Sequence, residues 1–407
     1  MGNLLSTPNR YAMNDSLNSA TSRRDFVRTL SLGAGATLVG AQALAGPLRW
    51  LAGAPAADRQ LGVALVGLGG YSGGQLAPAL QQTKFCRLTG IVTGTPAKAA
   101  KWKQQYNIPD ANVYDYKTFD RMIDNPAIDI VYVVLPNAMH AEYVVRAAQA
   151  GKHVICEKPL ATSAADARRM VAAVKKAGKQ FSVGYRLHFE PHNQEMMRIG
   201  QREVFGPVRH LAADNGFSLT TPSWRVDRAL SGGGPLMDMG IYCVQGCLYT
   251  KGQVPVSVTA KFIPNPDPKL FKDVEAGLDW QFQFADGATA DCRTRYTENM
   301  EGRLRAEGPK GWAELTPAFG YGGLAGKTSQ NDGRLNLPNI NQQAAQMDDF
   351  AACILHNQPT RVPGEMGLRD VQLLEAIYRA AETGQKVSTK DVVQLIDRTS
   401  TGKALSK

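Results

Sequence analysis

The chain has 407 residues, of which 43% are hydrophobic and 20% charged, values that predict a soluble globular protein of two or three domains. Its net charge of +10 favours anionic ligands or a basic solvated surface, but no basic run is interleaved with aromatic residues, so nucleic-acid binding is disfavoured. The six cysteines include no CxxC pair, and no group of His, Cys and Asp has metal-ligand spacing, so the pattern predicts neither a disulfide framework nor a metal site.

The first 45 residues (1–45) have the pattern of an export signal that is separate from the fold. Arg23-Arg24 precedes an apolar stretch rich in Leu, Ala and Gly, which ends in the small residues Ala43-Leu44-Ala45. This order is typical of a twin-arginine signal, so we expect the twin-arginine machinery to deliver the folded chain to the periplasm. The apolar stretch is shorter than a bilayer span, which disfavours the alternative of a membrane anchor and of stable membrane insertion. Residues 46–60, rich in Ala, Gly and Pro, predict an irregular arm.

A strand and a glycine turn open the next segment. The apolar run 61–66 is followed by Gly67-Leu68-Gly69-Gly70-Tyr71-Ser72, a GxGxxS turn in which serine stands at the position of the third glycine. The first two glycines allow a tight turn and a close backbone approach to a pyrophosphate, and the following helix presents its N-terminus to the phosphates. The turn therefore predicts dinucleotide binding.

Strands and helices alternate from residue 61 to residue 185. After the first strand, the pattern predicts strands over 87–92, 128–135, 153–156 and 180–183, and helices over 140–150 and 163–177. This alternation predicts a doubly wound parallel sheet, and we assign 61–185 to a Rossmann domain that binds a dinucleotide.

The end of the second strand distinguishes the two nicotinamide dinucleotides. An NAD-binding unit usually places Asp or Glu here, where it binds the ribose 2′-hydroxyl. This chain has Thr93-Gly94-Thr95, followed by Lys98, and no acid. Hydroxyls and a lysine suit a 2′-phosphate, so we predict NADP rather than NAD; the alternative is an ordinary polar loop.

Polar residues gather where the parallel strands end, which is where ligands bind in such a sheet. We therefore treat the residues at these strand ends as candidate site residues. They are Pro136, Asn137, His140, Glu157, Lys158 and Tyr185.

The pattern changes after residue 185. Five segments read as strands, several of them alternating apolar and polar residues as an antiparallel sheet with one solvated face does. These segments are 208–215, 256–262, 278–284, 288–296 and 303–308. The fold prediction is therefore α/β followed by α+β, with an open, mostly antiparallel sheet domain over 186–366. Between the first two strands, a glycine run leads into a helix from Pro235, in which Asp238 and Tyr242 are four residues apart and share one face.

Four motifs together carry a resemblance to one family. They are Gly67-Leu68-Gly69, Pro136-Asn137 with His140, Glu157-Lys158-Pro159, and 234–242. The chain resembles the oxidoreductase family that includes glucose–fructose oxidoreductase, inositol dehydrogenase and the rhizopine enzymes, and within it is most similar to glucose–fructose oxidoreductase and the exported aldose–aldose oxidoreductases. The resemblance implies a homodimer or homotetramer formed through the sheet domain, which also binds substrate. It further implies a C-terminal part, 367–407, whose helix packs back on the Rossmann domain.

The resemblance also implies residue roles. The predicted catalytic residues are Lys158, Asp238 and Tyr242. Lys158 is expected to bind the sugar hydroxyl that is oxidised, with its pKa lowered by burial or a nearby cation, and Tyr242 to exchange the proton. The predicted substrate contacts are Tyr185, His140, Asp238 and Tyr242. The predicted cofactor contacts are Gly67, Gly69, Gly70, Tyr71, Thr93, Thr95, Lys98, Pro136, Asn137, His140, Glu157, Lys158, Arg186, Trp224, Arg225 and Tyr321.

Four of these side chains also have a purely structural alternative. For Lys158 it is a surface salt bridge with Glu157, and for Asp238 it is the role of an acid favoured at a helix N-terminus. For His140 it is capping of its own helix, and for Tyr185 it is a place in the core.

The expected activity is that of an exported sugar oxidoreductase with tightly bound NADP(H). Free NADP is not expected outside the cytoplasm, and the twin-arginine route carries folded protein, so a bound cofactor would be recycled in place. A ping-pong reaction would then oxidise an aldose to its lactone and reduce a second sugar, ketose or aldose, to a polyol. The alternatives are a nicotinamide-dependent glycosidase of the same family and a non-catalytic sugar-binding member. The sequence leaves the two sugars unidentified.

Overall fold

The computed structural model describes residues 59–330 and 333–396 of the chain. The predicted export signal, 1–45, and all but the last two residues of the predicted arm, 46–60, lie outside the described residues. Arg59, where the described part begins, pairs with Asp129 at 2.6 Å beside the first sheet. Within this part of the chain, no helix has the length and apolar character needed to cross a membrane.

Six parallel strands form the first sheet, in the order β3-β2-β1-β4-β5-β6. Their bounds are β1 Leu61–Val66, β2 Cys86–Val92, β3 Val113–Tyr114, β4 Ile130–Val133, β5 His153–Cys156 and β6 Phe181–Val183. This arrangement confirms the predicted doubly wound Rossmann sheet. The two-residue strand β3 was not predicted, because so short a segment carries no periodicity.

Helices connect the strands of this sheet. They are α1 Ala77–Leu80, which continues a π-helical turn over Ser72–Leu76, α2 Pro96–Tyr106, α3 His140–Gln149 and α4 Ala164–Lys176. Ser163 caps α4 by accepting a hydrogen bond from the Asp166 N–H at 3.1 Å. Successive residues of β1 enter two different core clusters, so both faces of the sheet are covered.

Nine strands form the second sheet, in the order β14-β13-β12-β11-β7-β10-β9-β8-β15. Their bounds are β7 His210–Gly216, β8 Ser257–Phe262, β9 Gly277–Gln283, β10 Thr289–Arg295, β11 Arg303–Gly308, β12 Gly311–Leu315, β13 Gly326–Thr328, β14 Arg334–Leu335 and β15 Val387–Ser388. Neighbouring strands are antiparallel except β7 and β10, which are parallel. The predicted mostly antiparallel sheet is therefore confirmed; β7 to β11 correspond to the five predicted strands.

The helices of the second half are α5 Pro191–Gln201, α6 Arg228–Ser231, α7 Ile241–Lys251, α8 Gln342–Leu355 and α9 Gly364–Thr383. Helix α8 places Met347 and Phe350 in a core cluster of the first sheet, although it lies within the range predicted for the sheet domain. Helix α9 also reaches the first sheet, where the Val183 N–H donates to Val362 O at 2.9 Å just before the helix begins. The segment that leads into α9 thus contacts the Rossmann sheet, whereas β15, after this helix, joins the second sheet.

Candidate active site

A cavity of about 630 Å³ opens at the carboxyl ends of the parallel strands. It is lined by every predicted site residue except His140, Tyr185 and Arg186. The lining residues from the first sheet are Gly67, Gly69, Gly70, Tyr71, Thr93, Thr95, Lys98, Pro136, Asn137, Glu157 and Lys158. Those from the second half of the chain are Trp224, Arg225, Asp238, Tyr242 and Tyr321. The fold therefore brings distant parts of the sequence to one space.

The glycine turn has the shape that a dinucleotide requires. Gly67 has φ +93°, and a Cβ atom there would lie 2.4 Å from Val134 O, so only glycine fits. A Cβ atom at Gly69 or Gly70 would meet no atom within 4 Å, which leaves the turn open toward the cavity. Ser72 donates its hydroxyl to Gly67 O at 2.6 Å, so the serine in place of the third glycine closes the turn.

The segment after β2 forms the second part of the cavity wall. Thr93 is buried and its Oγ1 accepts from the Thr95 N–H at 3.3 Å. Lys98 is exposed in the first turn of α2, which carries no acidic residue there. The carboxylates among the lining residues, Glu157 and Asp238, belong to other parts of the wall. Since β2 and β5 are three strand spacings apart, Glu157 lies roughly 14 Å from this segment.

A network of charges occupies the opposite part of the cavity. Lys158 follows β5, and its Nζ donates to Asp238 O at 2.6 Å and pairs with Asp238 Oδ1 at 3.4 Å. The same Nζ lies 4.5 Å from the centroid of the Tyr242 ring. Asp238 Oδ2 accepts from Arg225 Nε at 2.8 Å and from the Tyr296 hydroxyl at 2.9 Å. Among the described residues, the ion pair of Lys158 is with Asp238 and not with Glu157.

The structure keeps Lys158 protonated. Burial alone lowers the pKa of Lys158, but its interactions with Tyr242 and Asp238 outweigh burial, and the pKa lies above its ordinary value. Burial likewise raises the pKa of Asp238, yet Lys158 and Arg225 hold it below its ordinary value. The prediction that burial or a nearby cation lowers the pKa of Lys158 was therefore wrong, because the interactions with Tyr242 and Asp238 outweigh burial. Lys158 acts here as a fixed cation and hydrogen-bond donor.

Glu157 is held as a buried carboxyl group beside Lys158. Its Oε1 accepts from the Tyr132 hydroxyl at 2.7 Å, and Gln346 of α8 donates to the Tyr132 oxygen at 2.9 Å. Burial raises the pKa of Glu157. Gly184 is required next to it, because a Cβ atom there would lie 2.6 Å from Glu157 Oε1.

His140 lies beneath the cavity wall, so the prediction that it contacts cofactor or substrate is corrected. It is fully buried, with Nε2 2.9 Å from Leu135 O and Nδ1 3.0 Å from Pro159 O and 3.2 Å from Leu160 O. Burial lowers the pKa of His140, although these carbonyl oxygens favour the protonated ring. The ring thus joins the loop after β4 to the loop that carries Lys158.

Tyr185 and Arg186 also lie behind the cavity. Tyr185 is buried and donates its hydroxyl to Asp370 of α9 at 2.6 Å, so the predicted substrate contact is corrected to a contact between elements of the fold. Arg186 is buried and donates to Phe319 O at 2.6 Å and Gly320 O at 2.8 Å. Its guanidinium supports the loop that carries Tyr321, and so serves the cavity without lining it.

Two tyrosines of the site were missed by the sequence analysis. Tyr116, in the loop after β3, lines the cavity, and a Cβ atom at Gly94 would lie 3.1 Å from its ring. Tyr296, directly after β10, is buried and donates to Asp238. Neither tyrosine stands in a motif or at a diagnostic spacing, so no signal in the sequence singles them out.

Two family models match the chain. One, described as an oxidoreductase family with an NAD-binding Rossmann fold, matches residues 61–185, and the other, the GFO/IDH/MocA C-terminal domain, matches residues 193–314. The chain belongs to the GFO/IDH/MocA oxidoreductase family. The resemblance inferred from the four sequence motifs is therefore confirmed, and family membership implies a nicotinamide dinucleotide in the cavity.

Individual relatives extend the comparison to nearly the whole described chain. The crystal structure of aldose–aldose oxidoreductase from Caulobacter crescentus, complexed with glycerol, is 42% identical, covers 81% of this chain and 100% of its own, and has a TM-score of 0.78. D-xylose 1-dehydrogenase (NADP(+)) from Haloarcula marismortui is 27% identical and covers 82% of this chain and 94% of its own. D-glucoside 3-dehydrogenase from Escherichia coli is 26% identical and covers 80% of this chain and 97% of its own.

Proposed function

We propose that this protein is a sugar oxidoreductase with tightly bound NADP(H), which oxidises an aldose to its lactone and reduces a second sugar, ketose or aldose, to a polyol. The observation that carries the proposal is the continuity of the cavity. The glycine turn and Thr93 line it on one side, and Lys158, Asp238 and Tyr242 on the other. A dinucleotide bound along the glycine turn and Thr93 would therefore reach a sugar bound beside Lys158, Asp238 and Tyr242.

The lining residues fit NADP. The open backbone at Gly69 and Gly70 accommodates the pyrophosphate, and Thr95 and Lys98 suit a 2′-phosphate. Asn137 also lines the cavity and donates to Ser231 O at 2.8 Å. When bound, a nicotinamide would supply a hydride acceptor for the sugar that is oxidised and a hydride donor for the sugar that is reduced.

The protein's own groups manage the oxygen and the proton. The Lys158 ammonium, held by Asp238, donates a hydrogen bond to the sugar oxygen and stabilises the negative charge that develops there. In its deprotonated form, the Tyr242 oxygen takes the proton from the hydroxyl that is oxidised. The Tyr242 hydroxyl formed in this way returns that proton to the carbonyl oxygen that is reduced. Arg225 and Tyr296 hold Asp238, and thereby Lys158, in place.

NADP is favoured over NAD by the wall after β2. Thr93, Thr95 and Lys98 present no carboxylate that would repel a 2′-phosphate, and the N-terminus of α2 adds a partial positive charge. Two D-xylose 1-dehydrogenases, 27% and 26% identical to this chain, carry NADP(+) in their names. Both observations support the proposed cofactor.

Retention of the cofactor and a ping-pong reaction are proposed from the predicted export signal. A protein that leaves the cytoplasm by the twin-arginine route carries its cofactor with it and finds no soluble NADP in the periplasm. One sugar must then reduce the bound cofactor and a second must reoxidise it. The 42% identity to an aldose–aldose oxidoreductase supports this pairing of two sugars.

A homodimer or homotetramer is proposed through the outer face of the second sheet. Alternate side chains of β10, such as Asp291 and Arg293, are exposed there, whereas Cys292 points into the core. The face carries a groove of about 620 Å³ lined by both signs of charge. Such mixed charges suit a self-complementary contact.

The absorbance of the purified protein in the reduced-nicotinamide band tests the proposed function. We expect nicotinamide to co-purify, a single aldose to raise this band without added NADP, and a second sugar to lower it again. Protein that purifies without nicotinamide and turns over only with added NADP would contradict retention. Release of free sugar from an aryl glycoside would support the glycosidase alternative instead.

A further inference from the structure

Two tyrosine rings meet across the cavity from opposite halves of the protein. Tyr71 follows the glycine turn of the first sheet, and Tyr321 lies in the loop between β12 and β13 of the second sheet. Their ring centroids are 5.7 Å apart, with an angle of 31° between the ring planes. Both rings line the cavity together with Gly69 and Gly70, where a pyrophosphate binds in this fold.

Arg186 fixes the loop that carries Tyr321. Its Cζ atom lies 4.5 Å from the centroid of the Tyr321 ring, and its guanidinium donates to the carbonyl oxygens of Phe319 and Gly320. Since Arg186 is 3% exposed, these bonds hold the loop from behind the cavity wall. The backbone before Tyr321 is therefore anchored to the core.

The Tyr321 side chain is less constrained than its backbone. It is 50% exposed and is followed by Gly322 and Gly323. A Cβ atom at either glycine would meet no atom within 4 Å, and Gly323 has φ +66°. The ring can turn away from Tyr71 without disturbing core packing, while Arg186 keeps its loop in position.

We propose that Tyr71 and Tyr321 form an aromatic clasp that closes over the pyrophosphate of a bound dinucleotide and slows its release. This inference rests on the proposed function, because it explains how the cofactor stays bound. Release requires the two rings to part, and the interaction of a ring pair corresponds to a change in rate of roughly tenfold. Association of the dinucleotide needs the same opening.

The release rate of NADPH from the full chain tests the clasp. Protein loaded with NADPH is mixed with excess NADP(+), and the loss of protein-bound NADPH fluorescence gives the rate constant. Tyr321→Ala is expected to release NADPH about tenfold faster than wild type, because the ring pair is lost. Tyr321→Phe keeps the ring and is expected to match wild type. Phe85→Ala is the control, since Phe85 is 37% exposed at the opposite end of the parallel strands.

A double-mutant cycle shows whether the two rings act together. If they form one clasp, Tyr71→Ala with Tyr321→Ala releases NADPH about as fast as the faster single variant. If the double variant releases NADPH faster by the product of the two single-variant factors, the two rings act independently and the clasp is overturned. A wild-type release rate in Tyr321→Ala also overturns it. Thermal unfolding of each variant checks that the fold is intact. Wild-type protein that binds no NADPH overturns the proposed function together with the clasp, whereas equal retention by wild type and all variants overturns the clasp alone.

Discussion

The two parts of the cavity wall use charge in different ways. Around Thr93, the basic side chain among the described lining residues is Lys98, which is exposed on the first turn of a helix. Around Lys158, the charges are mostly buried and paired: the Lys158 and Asp238 side chains are 12% and 15% exposed, and Arg225 contacts the same carboxylate. Exposed charges are screened by salt, whereas paired buried charges leave an uncompensated partner when one is removed. We therefore expect substitutions around Lys158 to have large effects on rate and stability that do not depend on salt. Substitutions around Thr93 should have smaller effects on cofactor affinity, which salt weakens.

Replacement of Lys158 by alanine is expected to give the largest effect. Sugar-dependent reduction of the bound cofactor should fall by about a thousandfold, because the developing charge on the sugar oxygen loses its cation. NADPH affinity should fall far less than this rate, because most of the predicted dinucleotide contacts belong to the other part of the wall. Single-turnover kinetics measure the rate of cofactor reduction, and NADPH titration measures cofactor affinity separately. Lys176→Ala, an exposed lysine of α4, is the control; a Lys158→Ala rate within tenfold of wild type would count against the proposed role.

Asp238→Asn is expected to lower the free energy of unfolding by about 3 kcal/mol at pH 7, because it leaves Lys158 and Arg225 without their carboxylate. The pKa of Asp238 lies below its ordinary value of 3.8, so its contribution is present above that value and is lost as pH falls through the lowered pKa. The difference between variant and wild type should therefore be constant from about pH 5 to pH 8 and shrink below about pH 4. Urea unfolding of variant and wild type at pH 3, 5 and 7 measures this difference in free energy of unfolding. An equal difference at all three pH values would contradict the stabilising role of the ionised Asp238.

Thr95→Asp places a carboxylate in the segment after β2, where we propose that the 2′-phosphate of NADP binds. The affinity for NADP is expected to fall roughly tenfold, since the new charge repels the 2′-phosphate, while the affinity for NAD is unchanged. Thr95→Asn has the same shape without the charge and should leave both affinities near wild type. Fluorescence titration of the apoprotein with NADPH and NADH measures the four values. A parallel loss for both cofactors would place the 2′-phosphate elsewhere.

Lys98→Ala is expected to have the smallest effect. Its exposed ammonium should contribute about threefold to NADP affinity at low ionic strength, and this contribution should vanish in about 1 M salt. Lys101→Ala, an exposed lysine in the same helix, should not change the affinity. If Lys98→Ala lowers NADP affinity at high salt as well, the contrast between screened charges near Thr93 and paired buried charges near Lys158 is wrong.

Local patterns in the sequence determined much of the fold. Strands 61–66, 153–156 and 303–308 are found as predicted, and Ser163 is the predicted N-cap of α4. The glycine turn and the acid-free segment after β2 were likewise readable, because their signals lie within a few consecutive residues. The two- and three-residue strands β3, β13, β14 and β15 were not, since they form only where a longer neighbouring strand offers a partner.

The sequence by itself determined that Glu157 and Lys158 come to the end of a parallel strand beside a dinucleotide turn, and the resemblance to the family added Asp238 and Tyr242 to the predicted site. Only the tertiary structure decided what each side chain does there. Lys158 and Asp238 are 80 residues apart in the chain, yet their contact sets the charge of both. His140 stands in a motif beside the site but is enclosed by backbone carbonyls from Leu135 and Pro159. Burial and charge pairing depend on contacts across the fold, and no local pattern of residues encodes them.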